Sequence, residues 1–270
     1  MPKAAQSLSA DAERLPWSVR LGWALGSVVT TTLLFITNTF FLRFVTDHVG
    51  LTAGTAAAVL ALPKLVDILI YPTIGLVSDR TRSGLGRRRP YLLAGGALGS
   101  LSLLMMFNVP EALPLGGKAV YVFGALVLGS LANASFNVPY LAMPAEMTTS
   151  VGERNILISY RVYVLSASQF IAGGVCPLLI QWFGGGAFAY SVMAAVMAGY
   201  LALVAYTCFA ATRIAPSTTL ASHHKGSFFK TLPTMFASRS YLGLLLCKYT
   251  FLTGSTAHTA TAAFYVKYVM

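Results

Sequence analysis

Four charged side chains lie inside long apolar stretches of this sequence, where a charge is costly to hold. They are Lys64, Asp67, Arg161 and Lys248. An ionisable group at the centre of a bilayer costs about 2.5–3.5 kcal/mol on insertion scales, so each one needs a partner or a water-lined cavity. Asp67 is the one acid deep in any of these stretches. A carboxyl group retained at such a position can bind a cation or carry a proton.

Lys64, Asp67 and Tyr71 are spaced i, i+3 and i+7, which places them on one face of a helix. Pro72 follows directly and removes a backbone donor from that helix. Two interpretations stay open: a structural pair in which Lys64 neutralises Asp67, or a cation or proton site whose carboxylate changes partner. A buried ion pair is expensive and an apolar residue would serve packing equally well, which favours the second interpretation.

Other apolar stretches carry polar stripes at helical spacing. They comprise Thr31 and Asn38, then Asn133, Asn137 and Tyr140, then Arg161 and Ser168. A single Thr or Asn in a membrane helix usually makes a hydrogen bond to a neighbouring helix. Several stripes that converge with Asp67 and Arg161 would instead line a hydrophilic cavity. Arg161 suits bidentate contact with vicinal hydroxyls or an anionic group, and the ring of Tyr140 could stack on the apolar face of a ligand ring.

The elements that must position these residues are long apolar helices. Of 270 residues, 56% are hydrophobic and 10% are charged, against about 25% charged in soluble domains. Only helices and closed barrels satisfy the backbone inside a bilayer, and the alternation of barrel strands is missing. We predict an all-α polytopic membrane protein. Seven stretches reach the roughly 18–20 residues that a spanning helix needs, namely 17–45, 53–77, 91–109, 119–143, 155–183, 188–211 and 241–270.

The basic residues indicate the orientation of these helices and the division of the chain. Most of the 19 Lys and Arg residues lie before the first stretch or after the second, fourth and sixth. The positive-inside rule therefore makes those segments cytoplasmic, and the net charge of +11 reflects topology rather than nucleic-acid binding. We predict a cytoplasmic tail (1–16), a six-helix bundle (17–211), a cytoplasmic linker with a short surface helix near 228–236 (212–240) and a seventh helix (241–270). This arrangement is expected of a truncated chain whose C-terminal half is missing.

The run from Gly75 to Pro90, GLVSDRTRSGLGRRRP, resembles the motif between the second and third helices of major facilitator transporters. In that motif Gly75 lets helices approach, while Asp79, Arg80, Arg87 and Arg88 form a charge latch on the cytoplasmic side. We expect Glu153 and Arg154 to belong to the same cytoplasmic gate.

Three further features resemble the glycoside-pentoside-hexuronide:cation symporter family, the branch that includes melibiose permease. They are TDHVGL at 46–51, Asp67 with Pro72, and VPYLAMPAEMT at 138–148 followed by Glu153-Arg154 and Tyr160-Arg161. The tail FYVKYV at 264–269 is similar to the family's seventh helix. The resemblance implies a twelve-helix secondary transporter that takes up sugars with Na⁺ or H⁺. It also implies that Asp67 matches a coupling acid, Lys64 a neighbouring basic position, and Arg161 an arginine close to the sugar.

Three departures from the melibiose permease pattern weaken the case for a Na⁺ site and for galactosides. Tyr71, Asn137 and Thr31 stand where that branch has acids. One carboxylate beside a lysine is poor at holding Na⁺ but can carry a proton, so we favour H⁺. We expect Asp67, Lys64 and Asn137 to couple the cation. We expect the substrate, a sugar, to be contacted by Thr31, Asn38, Tyr71, Asn133, Tyr140 and Arg161.

Other functions remain as alternatives. A relative that carries lysolipids or another amphiphile is the nearest one, and a half-transporter without activity is another. The four histidines are scattered and the three cysteines match no metal or disulfide spacing, so we expect no metal and no cofactor beyond the coupling ion. An enzyme is disfavoured because no catalytic cluster is visible, and a seven-helix receptor because the N-terminus is predicted to be cytoplasmic. We expect a multi-pass protein of the bacterial inner membrane that imports its substrate.

Overall fold

The computed structural model describes residues 15–81, 83–84, 86–214 and 238–268, with the side chains of 53 and 255–268 outside the described part. The described chain is helical. Its helices are α1 (Trp17–Val49), α2 (Ala53–Arg80), α3 (Arg89–Phe107), α4 (Leu115–Met147), α5 (Val151–Trp182), α6 (Ala187–Arg213) and α7 (Arg239–Tyr268).

Within this described part, α1 to α6 are long and apolar enough to cross a membrane. The prediction of an all-α polytopic membrane protein is therefore confirmed. The sequence predicts seven spans, whereas six are found; the seventh segment is helical but is not among them. Most observed helices also extend beyond the predicted apolar stretches, because polar residues at their ends continue the helix past the hydrocarbon region.

Local sequence signals define several helix ends. The Thr52 hydroxyl accepts a hydrogen bond from the Thr55 amide at the start of α2, and Ser150 does the same for Glu153 at the start of α5. Pro90 lies in the first turn of α3, where a missing amide proton costs nothing. Gly50 ends α1 at a φ of 82°, a left-handed conformation that favours glycine. Because Gly50 ends α1 and Thr52 caps α2, the connection between these two helices is only a few residues long.

The six spanning helices pack in a symmetric pattern. Helix α3 packs on α4 and α6, α1 packs on α5 and α6, and α2 packs on α4. Exchanging α1 with α4, α2 with α5 and α3 with α6 leaves this set of contacts unchanged. The bundle therefore behaves as two related three-helix units, and α2 and α5 take equivalent places at its periphery. Both are much less buried than the other four helices.

The interior of the bundle depends on close backbone approach. A Cβ atom added at Gly95 would lie 2.6 Å from the backbone nitrogen of Phe136, so α3 and α4 touch there. A Cβ added at Gly26 would lie 2.6 Å from Tyr140 Cε2. In a bilayer, where apolar contact with lipid offers no driving force, small residues of this kind allow helices to associate.

Helix α7 belongs to a second unit, Leu220–Met270, and is described by itself. Its residues 239–254 are exposed or partly exposed. The predicted surface helix near 228–236 and most of the predicted linker lie outside the described residues. The predicted N-terminal tail lies outside them as well, except for its last two residues.

Candidate functional site

A cavity between α1, α2 and α4 brings together five of the polar residues that the sequence singles out. Lys64, Asp67 and Tyr71 line it from one face of α2, Asn133 lines it from α4, and Asn38 lines it from α1. The cavity is small, with a volume of about 90 Å³, which is below the roughly 300–1,000 Å³ of typical small-molecule pockets. Most of the remaining wall is apolar: Leu33, Leu34, Leu60, Pro63, Met106, Leu126 and Gly129.

Asp67 is only weakly satisfied in this cavity. Its Oδ2 atom lies 3.8 Å from Lys64 Nζ, and the Lys64 side chain is 63% exposed. Its Oδ1 atom is buried and has no hydrogen-bond partner in the described structure. A buried carboxylate oxygen without a donor is costly, so Asp67 is suited to bind a proton or a cation. The long ion pair with the exposed Lys64 therefore does not hold the Asp67 carboxyl group in one position.

Tyr71 and Asn133 form a hydrogen bond across the cavity. Asn133 Nδ2 donates to the Tyr71 hydroxyl at 2.6 Å. The amide oxygen of Asn133 is buried and accepts no bond within the described chain. Two residues that line the cavity, Asp67 and Asn133, therefore each have a buried acceptor oxygen without a described donor, and a proton or a donor group that reached either oxygen would satisfy it.

Two π-helical segments, Thr37–Phe41 and Val45–Val49, interrupt α1. The first begins at the cavity, where Thr37 donates a hydrogen bond to the Leu33 carbonyl at 2.8 Å and Asn38 lines the wall. Segments of this type are frequent at functional sites because they shift the register of the side chains that follow. Helical spacing in the sequence gives no sign of them, so sequence reasoning missed this distortion.

A second polar cluster lies where α1, α4 and α5 meet. The Arg161 guanidinium carbon is 5.9 Å from the centre of the Tyr140 ring. The Tyr140 ring stacks on Trp23 at 4.8 Å, and Trp23 Nε1 donates to the Tyr140 carbonyl at 3.2 Å. Ser27 donates to the Arg161 carbonyl at 3.5 Å. Tyr140 is fully buried.

This burial corrects one expectation. The sequence suggests that the Tyr140 ring could stack on a ligand ring, but Trp23 and Arg161 already lie against the Tyr140 ring. Its hydroxyl, by contrast, has no hydrogen-bond partner in the described structure. The hydroxyl is buried as well and has Ser27 and Arg161 as its polar neighbours, so neither the ring nor the hydroxyl of Tyr140 is open to a ligand in this conformation.

The remaining residues predicted for the site lie outside the Asp67 cavity. Thr31 is half-buried on α1 and does not line it. Asn137, one turn from Asn133 on α4, has a buried amide oxygen without a partner among described residues. Tyr140 and Arg161 form the separate cluster described above. The predicted polar stripes thus divide into two groups rather than one.

The charged residues of the α2–α3 connection form a network of ion pairs. Asp79 Oδ1 accepts from Arg87 Nη2 at 2.8 Å and from Arg88 Nη2 at 3.2 Å. Arg88 Nε lies 2.9 Å from Glu146 Oε1. Arg88 is well buried, with a side chain 13% exposed, and it joins the ends of α2 and α4. Arg80 is exposed.

The residues at the start of α5 make different contacts from those expected of one gate. Glu153 is buried and pairs with Arg20 of α1 at 2.7 Å. Arg154 donates from Nε and Nη2 to the Thr148 carbonyl at 3.0 and 2.9 Å. The sequence groups Glu153 and Arg154 with Asp79, whereas the structure gives them separate partners because the start of α5 packs on α1.

Gly75 also differs from the expectation. A Cβ atom added there would meet only Val138 Cγ1, at 3.8 Å, which is an ordinary contact. The close helix approach predicted at Gly75 is therefore not present in this conformation. It occurs instead at Gly95.

Comparison with known proteins identifies the class. The family profile described as "MFS/sugar transport protein" matches residues 22–270. The chain therefore belongs to the MFS/sugar transport protein family, a family of membrane transporters, and it is a multi-pass integral membrane protein.

Its curated relatives include named symporters. The putative glycoside/cation symporter YagG of Escherichia coli (strain K12) is 26% identical over 93% of this chain and 54% of its own length. The isoprimeverose transporter of Lactiplantibacillus pentosus is 24% identical over 74% of this chain and 42% of its own length. The uncharacterized symporter YnaJ of Bacillus subtilis (strain 168) is 30% identical over 65% of this chain and 38% of its own length. The chain spans about half the length of YagG.

Proposed function

We propose that this chain forms half of a secondary active transporter that takes up a sugar or glycoside together with a cation. The observation that carries the proposal is the Asp67 carboxyl group, which lies in a cavity with one oxygen buried and unpaired. A group in that state gains more from binding a cation or proton than from remaining empty. Symporters among the relatives support the transport class.

Protons are the coupling ion that fits Asp67 best. Lys64 lies 3.8 Å from the carboxylate, and its positive charge opposes a second cation at the same place. Tyr71 and Asn137 supply neutral oxygens where the resemblance leads one to expect acids. A proton needs one acceptor oxygen, whereas a bare Na⁺ ion needs several oxygen ligands. Uptake driven by H⁺ follows from this difference.

The exposed faces of α2 and α5 support a partner bundle. Ile68 and Leu69 on α2 and Phe170 on α5 are at least two-thirds exposed, and so is Tyr163. The Asp67 cavity lies on α2, and the Arg161 cluster lies on α5. We propose that a second six-helix bundle covers this side and that the two bundles rock around the enclosed site, as alternating access requires.

The ion pairs of Asp79, Arg87, Arg88 and Glu146 fit a latch that holds α2 and α4 together at one end of the bundle. We propose that this end is cytoplasmic, with the N-terminus, because basic residues are concentrated there. The proposed location is the bacterial inner membrane. Breaking the latch would then accompany opening towards the cytoplasm.

Uptake measurements on the full polypeptide that contains this chain test the proposal. Energised membrane vesicles are incubated with a panel of radiolabelled sugars and glycosides added outside, in Na⁺-free buffer with and without a proton uncoupler. Proton coupling predicts accumulation in Na⁺-free buffer that the uncoupler abolishes. The Asp67→Asn variant is expected to lose accumulation and keep equilibration, since exchange needs no driving ion. Asp47→Asn is the matched control, because Asp47 is exposed and pairs with Arg43.

Strict dependence on Na⁺ would refute proton coupling while leaving symport intact. Unchanged accumulation by Asp67→Asn would refute the role of Asp67. The apolar cavity wall supports a second candidate, an amphiphile such as a lysolipid. Uptake of lysophosphatidylethanolamine with no uptake of any sugar would favour that candidate. The 270-residue chain expressed alone is expected not to accumulate solute, because alternating access needs two bundles.

A further inference from the structure

A second cavity lies at the end of the bundle opposite to the ion pairs of Asp79 and Arg88. It is enclosed by the C-terminal ends of α1 and α3 and the N-terminal ends of α4 and α6. Its volume is about 440 Å³, against about 90 Å³ for the Asp67 cavity, and it falls within the range of small-molecule pockets. The cavity is therefore large enough for a ligand, and the transport function proposed above does not use it.

The cavity lies where the apolar stretches of the sequence end. The first and third stretches end at residues 45 and 109, and the fourth and sixth begin at 119 and 188. The lining residues come from 44–49, 107–111, 118 and 187–191. These positions correspond to the headgroup region of a bilayer, where exposed aromatic rings such as those of Trp182 and Phe188 are also common. Phospholipid headgroups are therefore the groups that surround the cavity.

Three ionisable side chains line this cavity without pairing. They are His48 of α1, Glu111 of the α3–α4 connection and Lys118 of α4. Within the described part of the chain they form no ion pair, and their side chains make no hydrogen bond. Near the same end of α1, by contrast, Arg43 pairs with Asp47 at 3.3 Å. Opposite charges that face one cavity and remain apart suit a ligand that carries both charges.

The walls of the cavity are fixed by contacts between helices. The Ser191 hydroxyl of α6 donates to the Phe107 carbonyl at 3.1 Å, and the Tyr121 hydroxyl of α4 donates to the Asn108 carbonyl at 3.2 Å. Both bonds hold the end of α3. The His48 ring lies 5.2 Å from the ring of Tyr190. A cavity whose walls are already ordered loses little conformational freedom when a ligand binds.

One side of the cavity is apolar. Val109, Ala187 and Phe188 line it, and the Phe188 side chain is 70% exposed. A small solute with charges alone would leave this side in contact with water. A ligand with a charged group and an adjoining hydrocarbon part would cover it, and burial of apolar surface is favourable.

We propose that this cavity binds the phosphoethanolamine group of a phospholipid. The ammonium group contacts Glu111, and the phosphate contacts Lys118 and an N–H of His48. The glycerol and the first carbons of the acyl chains lie against Phe188. A lipid bound in this way touches the ends of four helices and stabilises their packing. The inference goes beyond the proposed transport function, because it depends on neither the sugar nor the coupling ion.

The test compares two phospholipids that differ in the group attached to phosphate. Native mass spectrometry of the purified full polypeptide measures apparent dissociation constants for dioleoyl phosphatidylethanolamine and dioleoyl phosphatidylglycerol. We expect the ethanolamine lipid to bind about threefold or more tightly, as expected of one exposed charge pair. Glu111→Gln is expected to remove this preference and leave the glycerol lipid unchanged. Lys118→Gln is expected to weaken both lipids by the same factor, because both contain the phosphate.

Asp47→Asn is the matched control for Glu111→Gln. Asp47 is an exposed acid at the same end of the bundle and does not line the cavity, so its lipid preference is expected to equal that of the wild type. Equal binding of the two lipids to the wild type would overturn the inference. An equal loss of preference in Asp47→Asn and Glu111→Gln would overturn it too, and so would unchanged binding by Lys118→Gln.

Soluble glycerophosphoethanolamine distinguishes the lipid from a free solute with the same charges. It lacks the acyl chains that cover the apolar side, so we expect it to bind at least about tenfold more weakly than the ethanolamine lipid. Equally tight binding of the soluble compound would mean that the cavity takes a solute from water and that the lipid assignment is wrong.

Discussion

Asn133 donates a hydrogen bond to the Tyr71 hydroxyl at 2.6 Å, which joins α4 to α2 one turn from Asp67. The bond fixes Tyr71 one turn from the carboxyl group and leaves the buried Asn133 oxygen without a described donor. Asp67 and Asn133 line the same cavity. The cation site and the contact between α2 and α4 depend on the same pair of side chains.

Tyr71→Phe tests this relationship. The variant keeps the ring and removes the hydroxyl, so the Asn133 amide loses its acceptor. A buried donor left without a partner costs about 1–3 kcal/mol. We expect the cation concentration at half-maximal uptake to rise about fivefold or more. Uptake at varied external pH measures it.

Tyr121→Phe is the control for that variant. Tyr121 donates to the Asn108 carbonyl at 3.2 Å near the ends of α3 and α4, far along α4 from Asn133. It loses a hydroxyl group in the same way, and cation dependence is expected to stay at the wild-type value. An equal shift in both variants would mean that helix stability, rather than the cavity, sets the cation dependence.

Arg88 should control access at the end of the bundle where α2 and α4 meet. Arg88→Lys keeps the charge, but one ammonium group cannot contact Asp79 and Glu146 as the guanidinium does. Met143 lies in the same pocket as Arg88. We expect a cysteine placed at Met143 to react faster with a maleimide when Arg88 is replaced by Lys than when Arg88 is present. The assay uses a Cys247→Ser background, because Cys247 is the exposed cysteine.

Arg43→Lys provides the comparison, since its partner Asp47 is exposed and distant in sequence from the latch. Its Met143→Cys labelling rate is expected to match that of the parent. A rate in Arg88→Lys no higher than the parent rate would argue that the ion pairs do not restrict opening.

The sequence predicted the helical class, the approximate spans and the shared face of Lys64, Asp67 and Tyr71, because hydropathy and 3.6-residue spacing are local properties. It could not predict that Asn133 joins this face while Tyr140 joins Arg161, because that division depends on how α4 lies between α2 and α1. The π-helical segment that contains Asn38, Thr37–Phe41, could not be predicted either, because spacing arguments assume a regular α-helix. The motif alone predicted a close helix contact at Gly75. The tertiary packing shows that the close contact is made at Gly95 instead.

Gly95 and Gly99 allow a matched test of close packing on one helix. A Cβ atom at Gly95 would lie 2.6 Å from the Phe136 backbone nitrogen, whereas one at Gly99 would meet only side-chain atoms at 3.7 Å or more. We expect Gly95→Ala to lower the melting temperature in detergent by several degrees. Gly99→Ala should leave it unchanged or raise it slightly, because alanine favours helix by about 0.5–1 kcal/mol. If Gly95→Ala and Gly99→Ala had equal melting temperatures, the close contact between α3 and α4 at Gly95 would be contradicted.

The pair of Arg20 and Glu153 should be worth far more than the other ion pairs on the bundle. It is well buried, it joins α1 to α5, and one oxygen of Glu153 has no described partner to compensate for the loss of Arg20. Removing one member of a buried pair costs about 3–5 kcal/mol. We expect Arg20→Gln and Glu153→Gln each to lower the free energy of unfolding by about that amount in an SDS titration.

The double variant separates pairing from burial. If the two charges stabilise each other, Arg20→Gln with Glu153→Gln loses much less than the sum of the single losses, because no unpaired charge remains inside. Arg43→Gln with Asp47→Asn serves as the exposed reference pair, for which each change should cost at most about 1 kcal/mol. Additive losses at Arg20 and Glu153 would mean that the two residues act independently. The start of α5 would then be held to α1 by apolar packing rather than by a charge pair.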